Sequence, residues 1–191
     1  SGALFCPEAG ALILADLHLG KSERMARRGG ALLPPFETRD TLHRLPAVTD
    51  ACRPRRLLLL GDGVDDDAAR GTLDAGDAAL WQAILAATPC TVLAGNHDPS
   101  SQAEATLGPI ALRHIAAEGP DISGHYHPKA RLKNIARPAF LVGAQHLILP
   151  AFGTFTGGLS VTDPALRDLV GAGLVILTGP KPIAFPYSAK A

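Results

Sequence analysis

Asp16, His18, Asp62, Asn96, His97, Asp98, His114, His125 and His127 are the residues of this 191-residue chain whose types and spacing could do chemistry together. Asp16 and His18 stand two apart in "DLHLG", and His125 and His127 stand two apart in "GHYH". In extended chain, residues i and i+2 point to the same side, so each pair is expected to face one point. Histidines, carboxylates and an asparagine, with no cysteine among them, make a mixed nitrogen and oxygen donor set. Such a set suits borderline divalent metals: manganese, iron, zinc or cobalt. Five of the seven histidines fall in these clusters, whereas His43, in a helical segment, and His146, near a turn, read as surface or packing residues. Each cluster alone says little. D-x-H is common, an Asp after Gly often only caps a helix, a lone His such as His114 is usually structural, and "NHDP" has the composition of a turn.

What gives the clusters weight is the elements that must position them. Each one ends an apolar run: "ALILA" (11–15), "RLLLL" (56–60), "CTVLA" (90–94), "IALR" (110–113) and "DIS" (121–123). The first three read as strands, separated by helical segments at 36–45, weakened or ended by Pro46, and at 78–87. Strand and helix in alternation imply a parallel sheet with right-handed crossovers, and ligands of such sheets gather beyond the carboxyl ends of the strands. Glycines 61, 95 and 124 precede the polar residues and permit sharp turns and close approach. In the second half, short strand-like runs at 110–114, 121–125, 139–143, 146–150, 158–162 and 174–178 follow closely, with one helical segment at 163–170. They predict a second, largely antiparallel sheet packed on the first, in a single α/β domain covering 1–191.

Composition narrows the class. Hydrophobic residues make up 47% and charged ones 19%, which is the profile of a globular chain and not a disordered one. The formal net charge is zero, so no global field draws nucleic acid or membrane. Cys6, Cys52 and Cys90 are odd in number and form no CxxC pair, which argues against a Cys-type zinc site and a disulfide framework. The longest apolar runs fall short of a membrane span, and the first residues lack a signal-peptide pattern. A soluble, cytoplasmic protein is expected.

The series D-x-H, G-D-x-x-D, G-N-H-D, single His and G-H-x-H resembles that of calcineurin-like metallophosphoesterases. Asp16–His18, Gly61–Asp65, Gly95–Asp98, His114 and Gly124–His127 match it in order. The flanks "LADLHLGKSERMARRGGALLPPFETRDTL", "GHYHPKARL" and "LILPAFGTFTGGL" are similar to bacterial ligase-associated, PdeM-type phosphoesterases. The resemblance implies a four-layer α/β/β/α sandwich of two mixed sheets and a phosphodiesterase or nuclease acting on DNA or RNA. It also implies a DNA-repair setting and a functional association with an ATP-dependent DNA ligase. It implies two divalent ions, manganese first: one held by Asp16, His18, Asp62 and His127, the other by Asp62, Asn96, His114 and His125, with Asp62 bridging. His97 would face the phosphate and assist the leaving oxygen, with Asp98 orienting its ring. The resemblance departs at Gly63-Val64-Asp65, where the subfamily places an aromatic residue and a histidine after G-D. Two metals about 3.5–4 Å apart can clamp both oxygens of an in-line displacement, and a water shared by two dications is acidic enough to attack as hydroxide near neutral pH.

Local charge bears on the substrate. "KSERMARR" (21–28) and "HPKARLKNIAR" (127–137) directly follow the first and last motifs and hold eight of the 18 Lys and Arg. If both motifs face one cleft, Arg24, Arg27, Lys129 and Arg131 are candidates for a rim that tracks phosphates, opposed locally by "DDD" (65–67) unless those carboxylates point away or help hold metal. Aromatics are few, with no interleaved stacking platform, so sequence-specific reading of nucleic acid is not expected. Tyr126 and Phe152 are the aromatics expected near the site. A small phosphodiester, such as a cyclic nucleotide, is the alternative substrate. A non-catalytic scaffold is the third reading, weakened because every ligand position is filled.

Overall fold

One strand buried on both faces decides the architecture. In the "ALIL" strand at Ala11–Leu14, Leu12 and Leu14 pack into one apolar core and Ala11 and Ile13 into another. Such a strand needs a covering layer on each side. The computed structural model describes residues 1–66, 68–97 and 102–188.

The first sheet has the order β1 (Leu4–Cys6), β2 (Ala11–Leu14), β3 (Arg56–Leu59), β4 (Cys90–Val92). β2, β3 and β4 are parallel and β1 is an antiparallel edge. Helices α1 (Lys21–Arg27) and α2 (Glu37–Cys52) follow β2, and α3 (Ala69–Thr72) and α4 (Ala75–Ala87) follow β3. Leu42 and Leu45 of α2 and Ile84 of α4 pack on Leu12, Leu14, Leu57 and Leu59 to form the outer core of this side.

The second sheet holds β5 (Glu104–Leu107), β6 (Ile110–Arg113), β7 (Asp121–Ser123), β8 (Lys129–Leu132), β9 (Ile135–Val142), β10 (His146–Ile148), β11 (Ala172–Leu177) and β12 (Ile183–Ser188). Its order is β12-β11-β9-β10-β7-β6-β5, with β8 pairing β9. Most pairs are antiparallel, but β7 lies parallel to both β6 and β10. Helix α5 (Pro164–Val170) covers its outer face through Leu166 and Val170. Between the sheets lie Ile13, Leu58, Leu60, Leu93, Leu112, Ile122 and Leu149. The result is the expected four-layer α/β/β/α sandwich of two mixed sheets. Among the described residues, no helix is long and apolar enough to cross a membrane.

Two local expectations are corrected. Pro46 neither ends nor confines α2, which runs on to Cys52. Proline removes one backbone bond, but Leu42 and Leu45 before it and Val48 and Cys52 after it pack on the same core and hold both halves of the helix against the sheet. The run 158–162 is not a strand. Asp163 caps α5 by accepting from the Ala165 amide, and its own amide donates to Ser160 O, so the approach to the helix is a turn. The run keeps one isolated β-bridge, Lys129 to Ser160, and a few backbone bonds to Tyr126 and Lys129, which do not extend into a ladder. The edge strands β1, β5 and β8 are too short or too polar in pattern to have been expected, and β12 carries Pro186, which argues against a strand in sequence.

Topology now determines where the polar ends go. β2, β3 and β4 run in one direction in register, Leu14 beside Leu59 and Leu59 beside Val92. β6 and β7 end together at Arg113 and Ser123. The chain after β10 then stitches the two sheets together, with the Leu149 amide on Ser123 O and the Phe152 amide on Ala15 O.

Candidate metal centre

Asp16 and Asp62 sit at the floor of the site, 0% and 3% exposed. Each is gripped by an amide from a motif far along the chain. The His125 amide donates to Asp16 Oδ2 and the His97 amide to Asp62 Oδ1, both at 2.9 Å. Such charge-assisted bonds fix the carboxylate planes. They also explain the glycines: a Cβ on Gly124 would stand 2.5 Å from Asp16 Oδ2, and one on Gly95 would collide with the Asp62 carboxylate. The glycine before each motif is required because backbone must lie against a charged side chain.

Extended-chain alternation is not what turns the paired residues the same way. The strands stop at Leu14 and Ser123, and Asp16, His18, Asp62, His125 and His127 all have left-handed backbone, with φ between 46° and 67°. Eight non-glycine residues among those described have positive φ, and five are in this cluster. Each costs on the order of 1–3 kcal/mol and persists only where surrounding structure enforces it, a concentration typical of functional sites.

The side chains converge on two points. His18 Nε2 lies 3.5 Å from His127 Nε2, and His127 Nε2 lies 3.3 Å from Asp16 Oδ1. His114 Nε2 lies 3.4 Å from Asp62 Oδ2 and 3.2 Å from His125 Nδ1. Partners on the far side of the rings assign the tautomers. His18 Nδ1 donates to Asp65 Oδ1 at 2.7 Å, and His114 Nδ1 donates to Leu60 O at 2.9 Å. Their Nε2 atoms are therefore lone pairs pointing into the site. Burial first, then the neighbouring His114, pushes the His125 imidazole below its ordinary pKa and favours its neutral, ligating form. Asp16 Oδ1 is fully buried and has no hydrogen-bond partner. An orphaned carboxylate oxygen among inward-facing imidazole nitrogens is the donor set of a divalent cation. Among the described residues, three groups have ligand atoms within 4.8 Å of one another: Asp16, His18 and His127; Asp16, Asp62 and His114; and His18, Asp62 and His97. The residues present fit the implied metals.

Other candidates fall differently. Asn96 is exposed and lines, with His114, Glu104 and Arg113, a cavity of about 290 Å³. His97 Nε2 lies 3.9 Å from Asp62 Oδ2, and its Nδ1 donates to the backbone carbonyl of Asp65 at 2.7 Å. Among the described residues that carbonyl orients the ring; Asp98, expected to do so, lies outside the described residues. Tyr126 is half-buried and edge-on to His125 at 5.1 Å, near the site as expected. Phe152 also lies near the site, its amide on Ala15 O beside Asp16, but its ring packs in the core, 1% exposed, with the Arg44 guanidinium over it. His146 donates to Asp121 at 2.9 Å, away from the cluster, and His43 is exposed.

The rim differs from its expected charge. Arg24 Nη1 pairs with Asp65 Oδ2 at 3.0 Å, and Arg27 Nη2 meets both oxygens of Asp66 at 2.8 and 3.0 Å. Asp65 and Asp66 thus neutralise both arginines by direct contact. Lys129 Nζ donates to Thr156 O at 3.0 Å, while Arg131 on β8 is exposed. Asp65 is the residue that sequence reasoning undervalued, and its spacing from Asp62 was the available signal. Burial pushes its carboxyl up, but the hydrogen bond and charge of His18, with Lys21 and Arg24, outweigh that and hold it below the usual range. It fixes the His18 tautomer and stands where the resemblance departs. Asp65→Ala should keep the fold and weaken Mn²⁺ binding by roughly 10–100-fold; calorimetric titration checks this, and unchanged affinity would show that His18 needs no such support.

The fold and site together define a two-sheet α/β sandwich with histidine and aspartate groups that could hold a metal ion beyond its strand ends. Among solved structures, the chain is similar to the Pseudomonas putida nuclease MPE, with 27% identity and a TM-score of 0.75 over 97% of this chain and 92% of that one. No family model matches the chain, and no curated protein matches it.

Proposed function

We propose that the protein is a metal-dependent phosphodiesterase acting on nucleic acid. The observation that carries this reading is Asp16 Oδ1, buried without a hydrogen bond and facing converging histidine nitrogens, in a fold shared with a nuclease. Asp16, His18, Asp62 and His127 would hold one ion, and Asp62, Asn96, His114 and His125 the other, with manganese the preferred metal. When bound, two such ions supply an activated water and neutralise charge on the phosphoryl oxygens. His97, kept at Nδ1 by the Asp65 carbonyl, offers Nε2 to the leaving oxygen; it donates there as the doubly protonated ring. The ligase-associated flanks of the sequence support a DNA-repair role beside an ATP-dependent DNA ligase. A cytoplasmic setting accords with three free cysteines, of which Cys90 is pushed up to about 11 by burial and kept unreactive.

The neutralisation of Arg24 and Arg27 favours a second reading, a small phosphodiester substrate, because it removes half of the expected basic rim. Activity with Mn²⁺ on bis-p-nitrophenyl phosphate, the corresponding monoester, cyclic nucleotides, and single- and double-stranded DNA, measured side by side, decides between them. Cleavage of DNA supports the nuclease, and cleavage of cyclic nucleotides alone supports the small-molecule enzyme. No hydrolysis of any diester would leave the scaffold reading.

The same geometry predicts different behaviour from two arginines. Arg131→Glu should raise KM for oligonucleotides a few-fold and flatten the salt dependence by a slope of about 0.7–0.9. Arg24→Glu should instead depress activity on all diesters, because Arg24 supports Asp65 and through it His18. Steady-state kinetics at several salt concentrations separate the two; equal effects on every substrate from both would remove Arg131 from the rim.

A further inference from the structure

Two exposed phenylalanines touch each other beside the metal centre. Phe36 and Phe155 are the only exposed residues among the described Phe, Tyr and Trp, at 53% and 42%. Their ring centroids are 5.6 Å apart at an interplanar angle of 62°. Apolar rings left in water are disfavoured by the hydrophobic effect, and a pair of them built from distant parts of the chain calls for an occupant.

Both are tied to segments that carry metal ligands. Phe155 lies in the loop after β10. Two residues before it, the Gly153 amide donates to Asp16 O at 3.0 Å, which puts the Phe155 Cα within about 7 Å of the Gly153 Cα. Three residues after it, Gly158 lies against the backbone of His127, with no room for a Cβ. The loop therefore arches between Asp16 and His127. Phe36 precedes α2, whose next two residues hold the chain just after His18: Glu37 Oε1 accepts from the Ser22 amide at 2.9 Å and Thr38 Oγ1 from the Gly20 amide at 2.8 Å.

The pair is also held rigidly. Arg44 Nη2 donates to Phe152 O at 2.7 Å and to Thr154 Oγ1 at 2.8 Å, and the Thr154 amide donates to Thr41 Oγ1 at 3.0 Å. Thr154 also donates to Asp40, and Lys129 Nζ binds Thr156 O, which places a cation one residue from the ring. Phe155 itself has φ 56°, a left-handed conformation that a bulky residue adopts only under constraint.

We propose that Phe36 and Phe155 form a stacking site for an unpaired nucleobase next to the phosphodiester held at the metal centre; this rests on the nuclease reading above. Aromatic rings receive any base by its π face without reading sequence. A base within a duplex is stacked on its own neighbours and cannot enter, so the pair selects single strands and unpaired ends.

The test compares a single-stranded oligonucleotide with one of equal length made of abasic sites, under Mn²⁺, for the wild type and for Phe36→Ala/Phe155→Ala. The wild type should bind the base-bearing strand with the lower KM. The double variant should raise that KM roughly tenfold and leave the abasic KM in place, and Phe36→Tyr/Phe155→Tyr should restore discrimination. A 2-aminopurine strand mixed with the metal-free protein gives a readout independent of turnover: its fluorescence should be quenched by the wild type and not by the alanine variant. If the double variant melts early, the two single variants replace it, each with a smaller effect in the same direction. Equal KM for both strands in the wild type, or no change in the variant, overturns the stacking site. Loss of self-association with unchanged kinetics overturns it too and assigns the pair to a protein contact. A wild type that cleaves neither strand overturns the nuclease reading instead.

Discussion

Asp62→Asn protein should fold, bind neither metal ion and lose activity by more than the roughly 10–100-fold expected for an outer-shell partner. Asp62 is 3% exposed, and its Oδ2 lies within 4 Å of His18, His97 and His114, so a single carboxylate serves both points of convergence. The amide keeps the size of the side chain and an oxygen for the His97 amide, which isolates charge from shape. The sign of the stability change is specific. Without metal, Asp16 and Asp62 are buried carboxylates sharing a site with His114, so removing one charge should leave the metal-free melting temperature equal or higher. Added Mn²⁺ should raise the wild-type melting temperature by mass action and leave the variant unmoved. A variant that still gains stability from Mn²⁺ and retains half of its metal would show that Asp62 serves one ion and does not bridge.

His97→Ala should separate chemistry from metal binding. The ring is held through Nδ1 by the Asp65 carbonyl and offers Nε2 to the substrate side, so its loss should lower turnover by about 10²–10⁴, the range for a positioned general acid. Metal content by elemental analysis should stay close to that of the wild type. The nearness of His97 to His18 and Asp62 makes this a demanding test, since the three have ligand atoms within 4.8 Å of one another. Loss of metal along with activity would make His97 a ligand and require a different group at the leaving oxygen.

Much of this site was legible before any coordinates. The apolar runs at 11–15, 56–60 and 90–94 became β2, β3 and β4; β2 and most of β3 are buried on both faces, where a strand has few alternatives to Val, Leu, Ile and Ala, and the half-buried β4 pairs beside them. The polar ends therefore had to gather at one edge. The reason that Asp16 and His18 face together was misread, since left-handed backbone leaves no periodic trace in non-glycine residues. The pairing of Arg24 and Arg27 with Asp65 and Asp66 was hidden because it joins α1 to the turn after β3, a tertiary contact with no local signature. Phe152 and Phe155 show the same limit at closer range. Three residues apart in one loop, one ring is in the core and the other is in solvent, and only the anchoring of that loop by Arg44 distinguishes them.

Anomalous diffraction from crystals of the protein grown with Mn²⁺ tests the central claim most directly. Two manganese peaks should flank the Asp62 carboxylate, one beside Asp16, His18 and His127 and the other beside His114 and His125. A single peak, or peaks away from Asp62, would contradict a dinuclear centre built on the ends of these strands.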